Sequence, residues 1–248
     1  MGPITPPTPA GDLLPRYYAA LQARFGPQRW WPARTRLEVI LGSILTQNTA
    51  WHNATLALGN LRQAGLLSWR RLRRAGLPVL EAAVRPAGFY RQKARTIRNF
   101  VEQLEQRRGG SLHRLLSLPA EELRRQLLEL RGLGPETVDA ILLYAARQPH
   151  FVADAYTRRV LARHALISAG AGYAETQEFL HAHLPRQASL FNEFHALLVE
   201  AGKKHCRPQS PRCAGCPLEE FLPREGAAQK RPPVRAADGR HEDATPAC

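Results

Sequence analysis

The stretch Leu130-Arg-Gly-Leu-Gly-Pro-Glu-Thr-Val-Asp-Ala140 places two glycines around a leucine, directly before a proline. Gly132 and Gly134 permit a tight turn, and Pro135 has the backbone angle of a first helical position. The open N–H groups of such a hairpin, together with the positive end of the following helix, suit one phosphate group. An ordinary connection between two helices would be favoured if the glycines were the only signal.

Apolar residues recur at helical spacing through most of the chain, and no run of strands is evident. The fold class predicted is therefore all-α. The Gly202 position, directly after an apolar run, predicts a helix stop. The predicted helical stretches are Leu13 to Phe25, Leu37 to Leu45, Ala54 to Ala64, Arg91 to Gln106, Ala120 to Leu130, Glu136 to Ala146, Asp154 to His164, Ala174 to His183 and Ala188 to Ala201.

Composition predicts a soluble chain with affinity for polyanions. The 248 residues, 44% of them apolar, can form one domain or two small ones, and the net charge is +14. Of the 35 basic residues 31 are arginines, which bind phosphate well but do not act as amine nucleophiles. No apolar run approaches the ~18 residues of a membrane-spanning helix, so we expect an intracellular, monomeric protein without a membrane partner. Residues 1–11 and 223–248 have the composition of disordered tails.

A second segment, Phe151-Val-Ala-Asp-Ala-Tyr-Thr-Arg-Arg-Val160, passes from a short apolar extended piece into a helix. Asp154 falls at the helix entrance. An aspartate in that position, taken alone, is most often a plain N-cap.

The glycine hairpin followed by an aspartate at a helix start, on an all-α chain, resembles the helix-hairpin-helix DNA glycosylases of the endonuclease III type. This resemblance implies two helical domains with a substrate cleft between them. Residues 38–148 would form a six-helix barrel that contains the hairpin, and residues 12–37 together with 149–222 the other domain. It also implies that the partner is double-stranded DNA with a damaged base, in the cytoplasm or on a bacterial nucleoid.

In this family the aspartate serves catalysis, because a carboxylate can stabilise positive charge on the deoxyribose or orient the attacking water. The resemblance therefore makes Asp154 the catalytic residue. It also implies DNA contacts from the hairpin and from the helix after Asp154, namely from Gly132, Leu133, Gly134, Thr137, Arg158 and Arg159.

One departure from the family changes the expected reaction. Members that also cut the DNA backbone carry a lysine immediately before the hairpin threonine, where this chain has Glu136. A carboxylate cannot form the Schiff base of β-elimination, and no lysine lies between Lys93 and Lys203. The resemblance therefore indicates a monofunctional glycosylase, without AP lyase activity. Glu136 is also an ordinary acidic residue for a helix's first turn, and its own role stays open.

The resemblance extends to two loops and to a group of tryptophans. Gln47 occupies the place of the family's glutamine that fills the gap left by an everted nucleotide, and Phe89 lies in a second insertion loop. As a lone aromatic residue, Phe89 would more often belong to the core. Trp30, Trp31 and Trp51 are either packing residues or an aromatic base pocket, which would suit a positively charged alkylated purine. Together with Glu136 they resemble the 3-methyladenine glycosylase branch.

The cysteines match the family only in part. Cys206, Cys213 and Cys216 have the spacing of three ligands of the family's [4Fe–4S] loop, but the fourth position is Leu222. The remaining cysteine is Cys248, the last residue. An unusual fourth ligand, a zinc site and a loop that folds without metal all remain open, whereas a disulfide is not expected in a reducing cytosol.

Three functions stay open at this point. The first is a glycosylase that hydrolyses the N-glycosidic bond of a damaged base, with alkylated purine as the favoured substrate. The second is an endonuclease III-like glycosylase and AP lyase that acts on oxidised pyrimidines. The third is a DNA-binding member of the fold without catalysis, for which the absent fourth cysteine is the hint.

Overall fold

A computed structural model describes residues 10–223 of the chain. Every regular element in that range is helical, which confirms the all-α fold class. No helix among these residues has the length and apolar character needed to cross a membrane. In chain order the α-helices are α1 (Ala10–Phe25), α2 (Arg36–Leu45), α3 (Trp51–Gln63), α4 (Trp69–Arg74), α5 (Leu77–Val84), α6 (Tyr90–Arg108), α7 (Leu112–Leu116), α8 (Ala120–Leu128), α9 (Pro135–Ala140), α10 (Ala155–Arg163), α11 (Tyr173–His183) and α12 (Ala188–Lys204).

The described residues form two compact units. The terminal unit comprises residues 10–30 and 149–223, and the central unit comprises residues 31–148. Most of the tail residues predicted at 1–11 and 223–248 lie outside the described range. The exceptions are residue 223 and residues 10 and 11, which belong to α1, where Asp12 lies in the first turn at the positive end of the helix.

Helix α2 forms the centre of the central unit. Every residue of α2 from Leu37 to Leu45 is buried, so the helix has no solvent-facing side. It packs against α3, α6, α9 and the π-helical turn Ile141–Ala145 that directly follows α9. Thr35 caps its first turn by accepting the N–H of Glu38 at 3.2 Å. The loop that follows α2 is consequently attached to a fully buried helix.

Aromatic side chains fill the core of the terminal unit. The ring of Phe151 lies 5.2 Å from that of Phe191 and 6.1 Å from that of Phe194, measured between centroids. All three side chains are fully buried, as are Leu14 and Leu21 of α1. The segment from Phe151 to Ala153, which leads directly to Asp154, is thereby fixed in the core.

The helix stop predicted at Gly202 is wrong, because α12 continues to Lys204. A Cβ at residue 202 would overlap the ring of Tyr156, a residue of α10. Gly202 therefore serves the close packing of α10 on α12, and a glycine used for close approach has the same sequence signature as a helix stop.

The boundary between the units falls after Trp30, earlier than the boundary expected after residue 37. Trp31 packs within the central unit, with its ring centroid 5.1 Å from that of Trp51. Gly42 of α2 makes this packing possible, because a Cβ there would come within 2.9 Å of the Trp31 ring. Residues 31–37 therefore belong with the barrel segment of the sequence prediction.

Candidate active site

The glycine hairpin forms between α8 and α9 as the sequence predicts. Gly134 is the N-cap of α9 and Pro135 starts the helix. Gly132 has a φ of 99°, and a Cβ there would overlap the Thr96 side chain of α6, so only glycine fits. The N–H groups of Gly132 and Gly134 donate to no group within residues 10–223 and are available to an anion.

Leu133 contributes to the hairpin differently from the two glycines. Its side chain is buried, and its N–H already donates to the Leu130 carbonyl at 3.1 Å. Leu133 thus anchors the hairpin in the core of the central unit, and the predicted DNA contact falls to Gly132 and Gly134.

The loop after α2 is joined to the hairpin through Gln47. The Gln47 side-chain amide donates to the Gly132 carbonyl at 3.0 Å and to Thr137 Oγ1 at 2.8 Å. Thr137 is buried, so its hydroxyl supports Gln47, and this geometry does not support the predicted direct DNA contact from Thr137. The next residue, Asn48, has a φ of 49°, in the left-handed region that non-glycine residues rarely adopt.

Phe89 projects from the loop before α6. Its side chain is 66% exposed, which excludes the alternative that it belongs to the core. Its φ of 44° is again left-handed, and it follows Gly88, whose φ is 64°. An exposed large apolar residue in a strained backbone conformation points to a binding function.

The structure brings together two of the three predicted pocket tryptophans and adds a tyrosine. Trp31 contacts Trp51 edge to face at an angle of 80°, and its centroid lies 5.3 Å from that of Tyr144. Tyr144 belongs to the π-helical turn, a type of helix distortion that is frequent at functional sites. Trp30 belongs to the terminal unit, where the Lys203 ammonium lies 6.0 Å from its ring centroid.

Asp154 is the N-cap of α10, in agreement with the plain structural expectation. Its Oδ1 accepts the N–H of Thr157 at 2.8 Å, and its Oδ2 lies 3.5 Å from Nε2 of His195 on α12. Burial alone would raise the pKa of Asp154. The His195 imidazole and the Thr157 N–H outweigh burial and hold the pKa below its ordinary value of 3.8. The side chain is therefore an ionised carboxylate at neutral pH.

His195 is the partner that sequence reasoning missed. It is buried on α12, with its ring centroid 6.2 Å from that of Phe151. A single histidine in the run Phe194-His195-Ala196 carries no spacing signal, because its contact with Asp154 arises only when α12 packs on α10.

The two arginines predicted to bind DNA have different surroundings. Arg159 donates to the carbonyls of Cys206 at 2.6 Å and Gly202 at 3.4 Å, and it stacks on Tyr156. Three of its five N–H donors are thus bonded to backbone carbonyls, the third being that of Ala155 at 3.4 Å, and the predicted phosphate contact from Arg159 would have to use the remaining two. The neighbouring Arg158 is half-buried, and its Nε has no acceptor within residues 10–223. That Nε is buried, so the phosphate contact of Arg158 stays a prediction.

Glu136, which stands where the bifunctional members of the family have a lysine, is exposed. Glu136 lies in the first turn of α9, where the helix dipole favours a negative charge. The lysine of the central unit is Lys93, which is 2% exposed, with its ammonium bonded to two backbone carbonyls. In the terminal unit Lys204 pairs with Glu200 at 2.7 Å.

Arginines of α10 hold the cysteine loop. Arg163 donates to the sulfur of Cys206 at 3.2 Å and to the carbonyls of Arg207 and Pro208, both at 2.6 Å. The loop closes further through bonds from Cys216 N–H to the Cys213 carbonyl at 2.9 Å and from Gly215 N–H to Glu219 at 2.9 Å.

The donor set of this loop does not match a four-thiolate cluster. Cys206, Cys213, Cys216 and Leu222 line one pocket, so an apolar side chain stands where the fourth ligand would be. In the metal-free protein, burial, with smaller contributions from the two other thiols, raises the pKa of Cys216. Among residues 10–223 no three His, Cys, Asp or Glu side chains are arranged to hold a metal ion. The described residues therefore do not supply four thiolates, and a cluster with a different fourth ligand stays a prediction.

Comparison with known proteins is consistent with this geometry. Residues 41–186 match the family model described as the HhH-GPD superfamily base excision DNA repair protein. A candidate DNA repair glycosylase of Methanocaldococcus jannaschii, MJ1434, is 38% identical over 212 residues, which cover 85% of this chain and 96% of that protein. Endonuclease III of Sulfolobus acidocaldarius is 28% identical over 189 residues, covering 76% of this chain and 82% of the relative.

Two solved structures share the fold. A trapped covalent intermediate of endonuclease III with DNA superposes with a TM-score of 0.75 at 22% identity, covering 90% of this chain and all of the other. The Helicobacter pylori 3-methyladenine DNA glycosylase MagIII, bound to 1,N6-ethenoadenine, gives a TM-score of 0.68 at 25% identity, covering 79% and 98%. The family expected from the sequence is confirmed, and the chain belongs to the HhH-GPD superfamily of base excision DNA repair proteins.

Proposed function

We propose that this base excision DNA glycosylase is monofunctional and that it hydrolyses the N-glycosidic bond of an alkylated purine in duplex DNA. The observation that carries the proposal is the buried, ionised carboxylate of Asp154, held by Thr157 and His195, in a chain that has Glu136 at the lyase-lysine position.

Asp154 acts on the sugar. As the base departs, positive charge develops on the deoxyribose, and a fixed carboxylate stabilises that charge without reorganising. One lone pair of Oδ1 binds the Thr157 N–H, and Oδ2 faces His195, so each oxygen keeps acceptor capacity for a water. His195 limits the rotation of the carboxylate and is a positioning residue.

Strand cleavage requires an amine that can attack the abasic sugar, and the lysines of residues 10–223 are engaged elsewhere. The Lys93 ammonium donates to the carbonyls of Leu45 and Ala87. Lys203 lies over Trp30, and Lys204 pairs with Glu200. No lysine of residues 10–223 is thus positioned as this nucleophile, and we expect the abasic site to be released with its backbone intact.

The cluster of Trp31, Trp51 and Tyr144 is the proposed binding site for the base. Electron-rich rings attract a cation, and an N-alkylated purine carries positive charge while already having a weakened glycosidic bond. Such a base needs little acid catalysis, because it leaves as a neutral molecule. The similarity to MagIII, whose structure contains 1,N6-ethenoadenine, supports a purine substrate.

The hairpin and the two loops hold the DNA. The N–H groups of Gly132 and Gly134 bind one phosphate without reading the sequence. Gln47 fills the gap left by the everted nucleotide once its amide exchanges its bonds to Gly132 and Thr137 for the DNA, and Phe89 enters the base stack beside it. Both insertions replace part of the stacking energy that base flipping removes, about a few kcal/mol.

The reaction is tested with duplexes that each carry 3-methyladenine, 7-methylguanine, uracil, an oxidised pyrimidine or mismatched adenine. We expect base release from the alkylated purines and strand breaks only after alkali. Asp154→Asn should slow release about 100-fold or more, because the variant loses the charge, while Asn remains a good N-cap that preserves α10.

Sodium borohydride added during turnover gives the decisive control for the lyase alternative. We expect no covalent protein–DNA adduct. An adduct, or breaks without alkali, would establish the bifunctional enzyme, and the absence of base release from every duplex would establish a non-catalytic DNA-binding protein.

The ionisation of Asp154 gives a pH prediction. Because its folded pKa is lowered, the charge stabilises the fold above about pH 3.8, the ordinary value, and this stabilisation is lost as pH falls through the folded pKa. Carbon-13 titration of the Asp154 carboxyl should give a midpoint below 3.8, and His195→Gln should move that midpoint upward. A wild-type midpoint above the ordinary value contradicts the assignment.

The aromatic site is tested by Trp51→Leu, with Trp69→Leu as the matched control. Trp69 lies on α4 of the same unit, beside Gly110. Loss of ring–cation attraction should reduce kcat/KM for 7-methylguanine about 10-fold and reduce it less for the uncharged base hypoxanthine. Equal losses for both bases, or an equal loss in the control, would assign Trp51 to packing alone.

A further inference from the structure

Lys93 is a buried charge that the proposed reaction does not use. The side chain lies on α6 and is 2% exposed. Its ammonium donates to the carbonyl of Leu45 at 2.8 Å and to the carbonyl of Ala87 at 2.7 Å. An apolar side chain of the same length would fill this space without the cost of burying a charge, so packing does not account for a lysine here.

The two carbonyls directly precede the two insertion loops. Leu45 is the last residue of α2 and leads directly into residues 46–50, which we call the Gln47 loop. Ala87 is the last residue of the 3-10 turn Arg85–Ala87 and leads into residues 88 and 89, which we call the Phe89 loop. A single ammonium therefore binds the backbone at the base of both loops.

Each of these loops contains a strained residue. Asn48 has a φ of 49° and Phe89 a φ of 44°, and neither is glycine. Left-handed conformations of such residues persist only where neighbouring structure holds them. The Lys93 bonds lie three residues before Asn48 and two residues before Phe89 and are suited to that purpose.

The same face of α6 also supports the hairpin. Thr96, three residues after Lys93, lies against Gly132, and Gly132 in turn accepts a hydrogen bond from Gln47.

Burial lowers the pKa of Lys93 from 10.5 to about 8, so the group is still mostly an ammonium with donors at neutral pH. The carbonyl of Leu45 lies at the negative end of α2, which favours a cation.

We propose that Lys93 is a positioning residue that couples the Gln47 loop to the Phe89 loop, so that Gln47 and Phe89 enter the DNA in a fixed relation. The inference rests on the proposed function for the part that concerns DNA. The coupling itself is a property of the free protein and is measurable without DNA.

The first experiment measures hydrogen–deuterium exchange of the free, full-length protein. Lys93→Met keeps an unbranched side chain that is one atom shorter and removes the donors. We expect exchange at least about 10-fold faster in both loops, because both lose the bond that holds them. Leu104→Ala, a core truncation on the same helix, is the control for general loss of stability and should leave the two loops coupled.

Faster exchange in one loop only, or an equal effect of Leu104→Ala on both loops, would overturn the coupling. If Lys93→Met does not fold, NMR of the wild-type protein still tests the two hydrogen bonds of Lys93. The Lys93 ammonium should give a nitrogen-15 signal whose protons exchange slowly with water, and rapid exchange would contradict the two bonds.

The second experiment is a double-mutant cycle on DNA. The duplex contains a stable abasic analogue with 2-aminopurine as the neighbouring base. The fluorescence of 2-aminopurine rises when the protein opens the base stack at this position. Phe89→Ala should reduce the fluorescence change severalfold in the wild-type background and much less in Lys93→Met, because the coupled position is already lost. Additive effects would contradict coupling. No effect of Phe89→Ala in the wild-type background would instead refute the proposed role of Phe89 and leave the exchange result standing.

Discussion

The carboxylate of Asp154 accepts the N–H of Thr157 and thereby closes the first turn of α10, and the same bond fixes the group that we propose acts on the sugar. The core residues Phe151, Phe191 and Phe194 hold the chain that leads to it, and Gly202 allows α12 to lie close enough to place His195 opposite. A charge in such surroundings requires partners that hold it in one orientation. The contacts with Thr157 and His195 thus both orient the Asp154 carboxylate and keep it ionised.

In the central unit, backbone hydrogen bonds to buried polar side chains organise the proposed DNA-binding surface. Gln47 bonds to the hairpin at Gly132, and Lys93 bonds to the segments that precede Gln47 and Phe89. The long helix α6 supports all three, because Lys93 and Thr96 lie one turn apart on it. The two loops that we propose contact DNA are thereby tied to one helix.

Sequence pattern predicted the long amphipathic helices and the hairpin because apolar spacing, Gly134 and Pro135 act locally. Short helices such as Leu77–Val84 and Leu112–Leu116 were not predicted, since a few residues carry too little periodicity. Gly202 was misinterpreted because its role depends on Tyr156 of another helix. Asp154 was located correctly as an N-cap, whereas the contact of His195 with it depends on tertiary packing that no local pattern encodes.

The central claim is that the carboxylate of Asp154 faces the sugar of the everted nucleotide. A crystal structure of the full chain bound to a duplex with a 2′-fluorinated, uncleavable alkylated purine nucleotide tests it directly. The account predicts an Asp154 oxygen within about 4 Å of C1′, with the Thr157 bond retained. A sugar beyond the reach of the carboxylate or of a water bound to it, or a lysine ammonium beside C1′, would contradict the account.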